Sequence, residues 1–151
     1  MSRAIDMADA TIQYLTPAGS EEEAAAYGLA PGVRVGDLIF VSGQLGIDQD
    51  GSIPSSGARQ AELAFLAVQR VLHEGGATLA DIIQLQTFHK GGIAATNEWF
   101  LPVKDRFIHA PHPSWTGVGV ADIGGDGAVI EIAAIARVST TPAEAADGFV
   151  P

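Results

Sequence analysis

The segment Ala128–Ala136, AVIEIAAIA, is apolar on both of its faces except at Glu131. A short apolar run rich in β-branched residues is typical of a strand that lies inside a sheet. A lone carboxylate in such a strand costs several kcal/mol of desolvation unless it is paired or protonated. Glu131 is therefore a candidate general acid or base. The alternative is an edge or interface position where Glu131 meets water or a basic group.

The chain upstream of this segment predicts four more strands before the last one and two helices. In chain order these are strands at Val33–Val35 and Leu38–Ser42, a helix at Ala58–Glu74, a strand at Ile82–His89, a helix at Thr96–Phe107 and a strand at Ser114–Ala121. The turn-forming residues Asp122–Gly127 predict that the last two strands pair as a hairpin. Pro102 indicates either a kink in the second helix or a helix that begins there.

The order β-β-α-β-α-β-β predicts an α+β fold, with a mixed sheet and both helices packed on one face. The second face of that sheet still carries Val, Ile and Ala residues, and these apolar side chains need a partner surface that buries them. Charged residues make up only 17% of the chain, against about 25% in a typical protein. Both observations favour an oligomer, in which another subunit covers part of the surface.

With 151 residues the chain fits one domain. We predict an N-terminal arm at residues 1–30, the folded domain at 31–138 and a C-terminal tail at 139–151. The run Ser20–Glu23 is compatible with the start of a helix, where acidic residues favour the helix dipole, or with a solvated acidic arm.

The net charge of −10, from 8 Lys and Arg against 18 Asp and Glu, argues against partners that carry phosphate. Neither a nucleic acid nor a membrane is therefore expected as a partner. The chain has no cysteine, which excludes disulfides, thiolate metal sites and cysteine nucleophiles. No apolar run approaches the ~18–20 residues of a membrane span, and no signal-peptide pattern opens the chain. A cytoplasmic location is the prediction.

Two further segments carry candidate site residues. Ser42-Gly43-Gln44 ends a strand with a hydroxyl, a permissive backbone position and an amide, which could present N–H groups to a ligand, or form an ordinary bulge. The loop His109–Trp115 holds two imidazoles and an indole. It has no third metal ligand nearby, so we expect no metal there, while the aromatic ring could stack on a ligand or pack at an interface.

The chain resembles the Rid family (reactive intermediate deaminases, also called YjgF or L-PSP proteins) from about Pro31 to Val138. The matching pieces are Val35–Gln44, the helix that contains Gln60 and ends at His73-Glu74-Gly75-Gly76, the following Ala77–Ile83, Asn97, and Val129–Ala136. The resemblance implies a chorismate-mutase-like subunit that forms a homotrimer with clefts between subunits.

The resemblance also implies chemistry: hydrolysis of small enamines and imines to 2-keto acids and ammonia, without a metal or an organic cofactor. Glu131 matches the family's glutamate that holds or activates the attacking water. The implied substrate-binding residues are Trp115, Ser42, Gly43, Gln44, Thr116, Asn97 and Tyr27. Tyr27 lies about two positions out of register with the family's N-terminal tyrosine.

Trp115 departs from the family, which has a carboxylate-pairing arginine in a Pro-x-Arg-Ser/Thr motif, because this chain reads Pro113-Ser114-Trp115-Thr116. An indole cannot form the bidentate pair that a carboxylate takes from arginine. Three functions follow. The first is an enzyme in which Trp115 stacks on an aromatic, cyclic or neutral ligand, and Arg34, Lys90, Arg106 or a histidine supplies any charge. The second is a non-catalytic trimer that binds small metabolites. The third, an endoribonuclease, fits poorly with −10. Glu131 favours the enzyme.

Overall fold

A computed structural model describes residues 11–139 as a six-stranded sheet with three α-helices. The strands are β1 (Ile12–Leu15), β2 (Gly32–Val35), β3 (Leu38–Leu45), β4 (Ile82–Lys90), β5 (Ser114–Val120) and β6 (Ile130–Arg137). The helices are α1 (Glu21–Tyr27), α2 (Gly57–Glu74) and α3 (Ile93–Phe107), and one turn of 3-10 helix at Leu79–Asp81 precedes β4. The predicted elements occur in the predicted order, and β1 and α1 precede them.

The strands lie in the order β1-β2-β3-β6-β4-β5, antiparallel except for the parallel pair β4 and β5. The predicted hairpin of the last two strands is wrong, because β6 lies between β3 and β4, and β5 pairs with β4 at the edge of the described sheet. The physical reason is burial. The apolar β6 gains most from a central position, whereas β5 is rich in glycine and stays exposed.

Helices α2 and α3 pack on one face of the sheet and form the core with it, which confirms the α+β prediction. Phe65 of α2 lies between two rings of α3, with centroid distances of 6.1 Å to Phe100 and 5.0 Å to Phe107. Buried residues of β3, β4 and β6 face the same cluster. Because burial of apolar surface dominates the stability of such a domain, this face holds the subunit together.

The helix bounds differ slightly from the prediction. Helix α2 begins one residue earlier, after Ser56, whose Oγ accepts the N–H of Arg59 at 3.3 Å. Helix α3 begins three residues earlier, at Ile93, directly after Gly92 at φ +96°. It continues through Pro102, so the alternative of a helix that begins at Pro102 does not hold.

Part of the segment predicted as an N-terminal arm lies on the sheet. Strand β1 pairs with β2, with Ile12 opposite Val35, and buries Leu15 in the core. Helix α1 begins at Glu21, so the acidic run forms a first helical turn. Residues 140–151, which make up nearly all of the predicted C-terminal tail, lie outside the described residues, as do residues 1–10.

Gln60, fully buried on α2, fixes the chain just before β6. Its Nε2 donates to the carbonyl oxygens of Pro54 and Gly127 at 2.8 and 2.9 Å, and its Oε1 accepts the N–H of Val129 at 2.8 Å. Both N–H donors of this buried amide and its carbonyl oxygen therefore have hydrogen-bond partners. The contact sets where β6 starts, and with it the position of Glu131.

Candidate functional site

Glu131 lies on the sheet face opposite the helices. Along β6 the buried residues alternate with half-buried ones, so Ile130 and Ile132 face the core while Glu131 faces away from it. Its cross-strand partners are Leu45 on β3 and Phe88 on β4. We call this side of the sheet the open face, since no helix of the described chain covers it.

Gly43 provides the space that the Glu131 side chain occupies. A Cβ atom built at Gly43 would overlap the Glu131 carboxyl group, so any larger residue there forces the carboxyl to move. Among residues 11–139 no hydrogen bond or ion pair reaches this carboxyl, and burial raises its pKa. A half-buried carboxyl without a protein partner is suited to hold a water molecule and to exchange a proton with it.

The segment Ser42-Gly43-Gln44 forms an irregularity inside β3, since the register to β6 shifts between Val41 and Gln44. Ser42 donates its Oγ–H to the carbonyl of Ala30 at 2.7 Å and its N–H to the carbonyl of Pro31 at 3.0 Å. Gln44 Nε2 donates to the Ser42 carbonyl at 2.9 Å. Both donors of Ser42 are thus used within the chain, and the structure places only Gly43 of this group against Glu131.

Trp115 lies on the helix side of the sheet, at the edge strand β5. Its ring is tilted against Phe100 with centroids 6.0 Å apart, and the Lys104 Nζ atom lies 5.2 Å from the ring centroid. The side chain is 39% exposed. The Trp115 N–H donates a hydrogen bond to Thr87 of β4. Glu131 is the cross-strand partner of Phe88, which follows Thr87 in the same strand. Successive residues of a strand point to opposite faces, so one chain does not bring Trp115 and Glu131 together.

A buried chain of hydrogen bonds holds the Trp115 indole. Trp115 Nε1 lies 3.0 Å from Thr87 Oγ1, which lies 2.7 Å from His89 Nε2, and His89 Nδ1 lies 2.9 Å from Thr96 Oγ1. Thr96 Oγ1 in turn lies 2.9 Å from the carbonyl oxygen of Gly92. We call the four side chains the buried relay. Thr87 and His89 are fully buried, and Thr96 nearly so.

The direction of each hydrogen bond in the buried relay follows from the groups at its two ends. The Gly92 carbonyl can only accept, so Thr96 donates to it and must accept from His89 Nδ1–H. The indole N–H can only donate, so Thr87 accepts from Trp115 and donates to His89 Nε2. Every donor has one acceptor when His89 is neutral. Burial also lowers the pKa of His89, which favours the same neutral form.

The remaining predicted site residues are spread over the subunit. Thr116 lies on the open face of β5, opposite Gln86, and two strands away from β6. Asn97 lies on α3, where its Oδ1 is buried and accepts no hydrogen bond from residues 11–139. Tyr27 ends α1 and is strongly exposed. Within one chain these residues form no single site.

The charged side chains that were expected to replace the family's arginine are used elsewhere. Arg34 donates to the carbonyls of Gly36 and Gly75, and Lys90 pairs with Asp122 at 2.8 Å. Arg106 lies 3.9 Å from Glu62 and over the ring of Phe107. The cation that contacts Trp115 is Lys104, which the sequence analysis did not single out.

Sequence reasoning also missed the relay residues Thr87 and Thr96. The strand alternation Leu85, Thr87, His89 was the available signal, since it places two polar side chains among core positions. Such groups need buried partners. The partner residues Thr96 and Trp115 could not be identified without the pairing of β4 with β5 and the placement of α3.

The open face also carries a shallow depression of about 170 Å³ between β3, β6 and β4. It is lined by Phe40, Val41, Gln84, Gln86, Ala133, Ala134 and Ile135. Residues 11–139 contain no group of three or more His, Cys, Asp or Glu side chains that could hold a metal ion. In the same range no helix is long and apolar enough to cross a bilayer.

Comparison with known proteins defines the class of protein to which this fold and these residues belong. The model of the family described as Endoribonuclease L-PSP matches residues 20–138, so the chain belongs to this family, the Rid/YjgF/L-PSP family of the sequence resemblance. Among individual relatives, the chain is 34% identical over 122 residues to the RutC family protein YjgH of Escherichia coli (strain K12), over 81% of this chain and 92% of that protein.

The similarity extends to a solved structure and to a more distant enzyme. A solved structure of YjgH has a TM-score of 0.75 and 35% identity, and the match covers 83% of this chain and 95% of that one. A 2-iminobutanoate/2-iminopropanoate deaminase of Dermatophagoides farinae is 28% identical over 95 residues, which are 60% of this chain and 71% of that protein.

Proposed function

We propose that the chain is a cofactor-free hydrolase that deaminates a small imine or enamine, with Glu131 as its catalytic residue. The observation that carries the proposal is the Glu131 carboxyl, which lies against Gly43 without a protein partner and whose pKa burial raises. Membership of the Rid/YjgF/L-PSP family and the similarity to the imine deaminase of Dermatophagoides farinae support the reaction class.

The reaction needs one water and one proton carrier. As the water oxygen attacks the imine carbon, its proton passes to the Glu131 carboxylate, and the electron pair of the C=N bond moves to nitrogen. Glu131 then returns the proton to that nitrogen. Glu131 next takes the proton of the new hydroxyl group and passes it to the same nitrogen. The C–N bond then breaks, ammonia leaves and a carbonyl remains, so atoms and charge balance without a metal or redox group. A raised pKa suits this exchange, because such a carboxyl carries its proton closer to neutral pH.

The site is completed between subunits of a homotrimer. Glu131 with Gly43 and Trp115 with Lys104 lie on opposite faces of one sheet, so both groups can meet one ligand only across a boundary. Phe40 and Val118 on the open face are 43% and 39% exposed, and the depression beside Phe40 offers them a place to pack. Sedimentation equilibrium should give three times the chain mass of 15.6 kDa, and a monomer at micromolar concentration would contradict the assembly.

Replacing Glu131 by Gln tests the catalytic role. We expect turnover of 2-iminobutanoate generated in situ to fall by roughly 10²–10⁴, because general acid–base catalysis contributes about that factor. Binding of 2-oxobutanoate, the carbonyl product, should change little. Glu74→Gln is the matched control, since it removes an exposed carboxyl at the end of α2. Full activity in Glu131→Gln would refute the proposal.

A non-catalytic trimer that binds small metabolites is the second candidate, and one observation favours it. The indole N–H of Trp115 is committed to Thr87, so the side chain at position 115 offers a ligand no hydrogen-bonding group. If the wild type binds 2-oxobutanoate but hydrolyses no imine, enamine or amide, this function replaces the first.

Endoribonuclease action is not part of the proposal, although the family description contains that word. A net charge of −10 opposes binding of a phosphate backbone. Salt-sensitive retention of RNA would contradict this. The cytoplasmic location stays a prediction from the sequence.

A further inference from the structure

The two strands that carry Gly43 and Glu131 change their register just beside the site. Val41 of β3 pairs with Ala134 of β6, and the next pairs resume with two residues of β3 facing one residue of β6 in between. Beyond this bulge Leu45 is the partner of Glu131. A slip of one residue would turn a side chain to the other face of the sheet. Because a bulge interrupts the ladder, the register beyond it depends on contacts from outside the two strands.

The side chain of Gln60 supplies such a contact where β6 begins. Its Nε2 donates to the carbonyl oxygen of Gly127 at 2.9 Å, and its Oε1 accepts the N–H of Val129 at 2.8 Å. Val129 precedes Glu131 by two residues, so these hydrogen bonds fix the chain close to the carboxyl. Gln60 is 1% exposed, so a partner that loses this amide is left without a hydrogen bond.

The main chain of the same residue supplies a contact where β3 ends. Gly46 follows Leu45, and a Cβ atom built at Gly46 would overlap the carbonyl oxygen of Gln60. The backbone after β3 therefore lies directly against helix α2, an approach that only glycine permits. Thus Gln60 contacts the chain at the end of β3 and at the start of β6, on the helix side of the pair formed by Leu45 and Glu131.

We propose that Gln60 is a positioning residue for Glu131. Its side chain holds the start of β6 and its main chain holds the end of β3, and together these contacts keep the carboxyl beside Gly43. The inference rests on the proposed function of Glu131 and adds a residue that acts from the opposite face of the sheet without touching the ligand. A displacement of about 1 Å at a reacting group can cost roughly 10²-fold in rate, so a small shift of β6 matters.

Kinetics of the assembled protein give the first test. Gln60→Met keeps the length of the side chain and removes its donors and its acceptor. We expect kcat for 2-iminobutanoate generated in situ to fall by roughly 10–10²-fold, because the carboxyl is displaced. The KM and the binding of 2-oxobutanoate should stay within about threefold, since Gln60 makes no contact on the open face. Gln69→Met, at a half-buried position further along α2, is the matched control and should behave as the wild type does.

A spectroscopic titration reports the position of the carboxyl without turnover. The ¹³Cδ resonance of Glu131 is assigned by its loss in Glu131→Gln and followed with pH. The neighbours of Glu131 on β3 and β4 are Leu45 and Phe88, which do not ionise, and Lys90 further along β4 pairs with Asp122. In Gln60→Met we expect a lower midpoint than in the wild type, closer to the ordinary 4.5, because a displaced carboxyl meets more water. Gln69→Met should leave the midpoint unchanged.

A double variant separates positioning from a general loss of stability. In the Glu131→Gln background, Gln60→Met should reduce the residual turnover by less than about twofold, because the placement of an absent carboxylate has no effect. An equal loss in both backgrounds, or a wild-type midpoint for Glu131 in Gln60→Met, overturns the inference.

The remaining outcomes keep this inference distinct from the proposed function. Full turnover in Glu131→Gln refutes the proposed function, while the ¹³C titration still decides whether Gln60 places the carboxyl. If Gln60→Met does not fold, Gln60→Glu takes its place, since it keeps the shape and the acceptor for Val129 and replaces the amide donors. We expect a smaller loss of kcat and a smaller shift of the midpoint in that variant, and the absence of both overturns the inference.

Discussion

The two faces of the sheet treat their buried polar groups in opposite ways. On the helix side, Trp115, Thr87, His89 and Thr96 pass one hydrogen bond to the next, and the last one ends on a backbone carbonyl. On the open face, Glu131 lies against Gly43 with no donor from the described chain. Every hydrogen-bond donor of the buried relay therefore has an acceptor, whereas the Glu131 carboxyl has no partner among the described residues.

This difference bears on which residues act on a ligand. A satisfied buried network makes the structure rigid and unique, and removing one member leaves another unpaired. A desolvated carboxyl without a partner destabilises the fold. A protein retains such a group only where water, a ligand or another subunit compensates for that cost. Trp115 is therefore held in place by buried neighbours, whereas Glu131 is the group for which we propose a catalytic role. Lys104 contacts both kinds of surroundings, since its Nζ atom lies 5.2 Å from the centroid of the Trp115 ring and also pairs with the exposed Asp105.

Breaking the buried relay has the largest expected effect. Thr87→Val keeps the shape of the side chain and removes its hydroxyl, so His89 Nε2 loses its donor and the Trp115 N–H loses its acceptor. A buried group left without a partner costs about 1–3 kcal/mol, and His89 is fully buried. We expect the free energy of unfolding to fall by about 2–3 kcal/mol. Urea denaturation measures it.

Thr87→Ser is the control, because it keeps the hydroxyl and removes one methyl group at a cost of about 1 kcal/mol. In a Trp99→Phe background, the emission of Trp115 should shift to longer wavelength in Thr87→Val and not in Thr87→Ser. If the valine variant is as stable as the serine variant, the hydrogen bonds of the relay do not hold Trp115.

The local part of the fold was predictable and the pairing of its last strands was not. Helix α2 was placed within one residue, because its apolar spacing and the glycines that follow it are local signals. The turn residues Asp122–Gly127 predicted a reversal of the chain correctly but said nothing about which strand lies beside β6. Insertion of β6 between β3 and β4 depends on pairing with two strands that are distant in the sequence, and no short window of sequence contains that information.

The candidate site was predictable to a similar degree. Glu131 stood out because a carboxylate in an apolar strand needs an explanation, and the structure places it against Gly43, another predicted residue. Contact of the Trp115 ring with a ligand or at an interface stays a prediction, and the structure adds that its N–H is directed inward to Thr87 and that Lys104 lies over the ring. Lys104 was missed, since its relation to Trp115 depends on how α3 packs beside the edge strand.

The stability that the two regions contribute depends on pH in opposite directions. This effect is smaller than the loss of the relay, and it sharpens the comparison between the two faces. Burial raises the pKa of Glu131 above its ordinary value of 4.5, so the folded state holds that proton more tightly than the unfolded chain. The stability from this group is therefore present at low pH and is lost as the pH rises through the raised pKa. Burial lowers the pKa of His89 below 6.5, so the stability from the relay is lost as the pH falls below that value.

Glu131→Gln isolates the first of these contributions. We subtract the free energy of unfolding of the wild type from that of the variant. This difference should be constant below about pH 4. It should increase as the pH rises towards 8, because the wild type loses stability when Glu131 ionises and the variant does not. The contribution of His89 is common to both proteins and cancels in this difference. Glu74→Gln, which changes an exposed carboxyl, provides the baseline. A difference that is flat from pH 4 to 8 would mean that the open face does not desolvate Glu131, and the contrast between the two faces would then lose its physical basis.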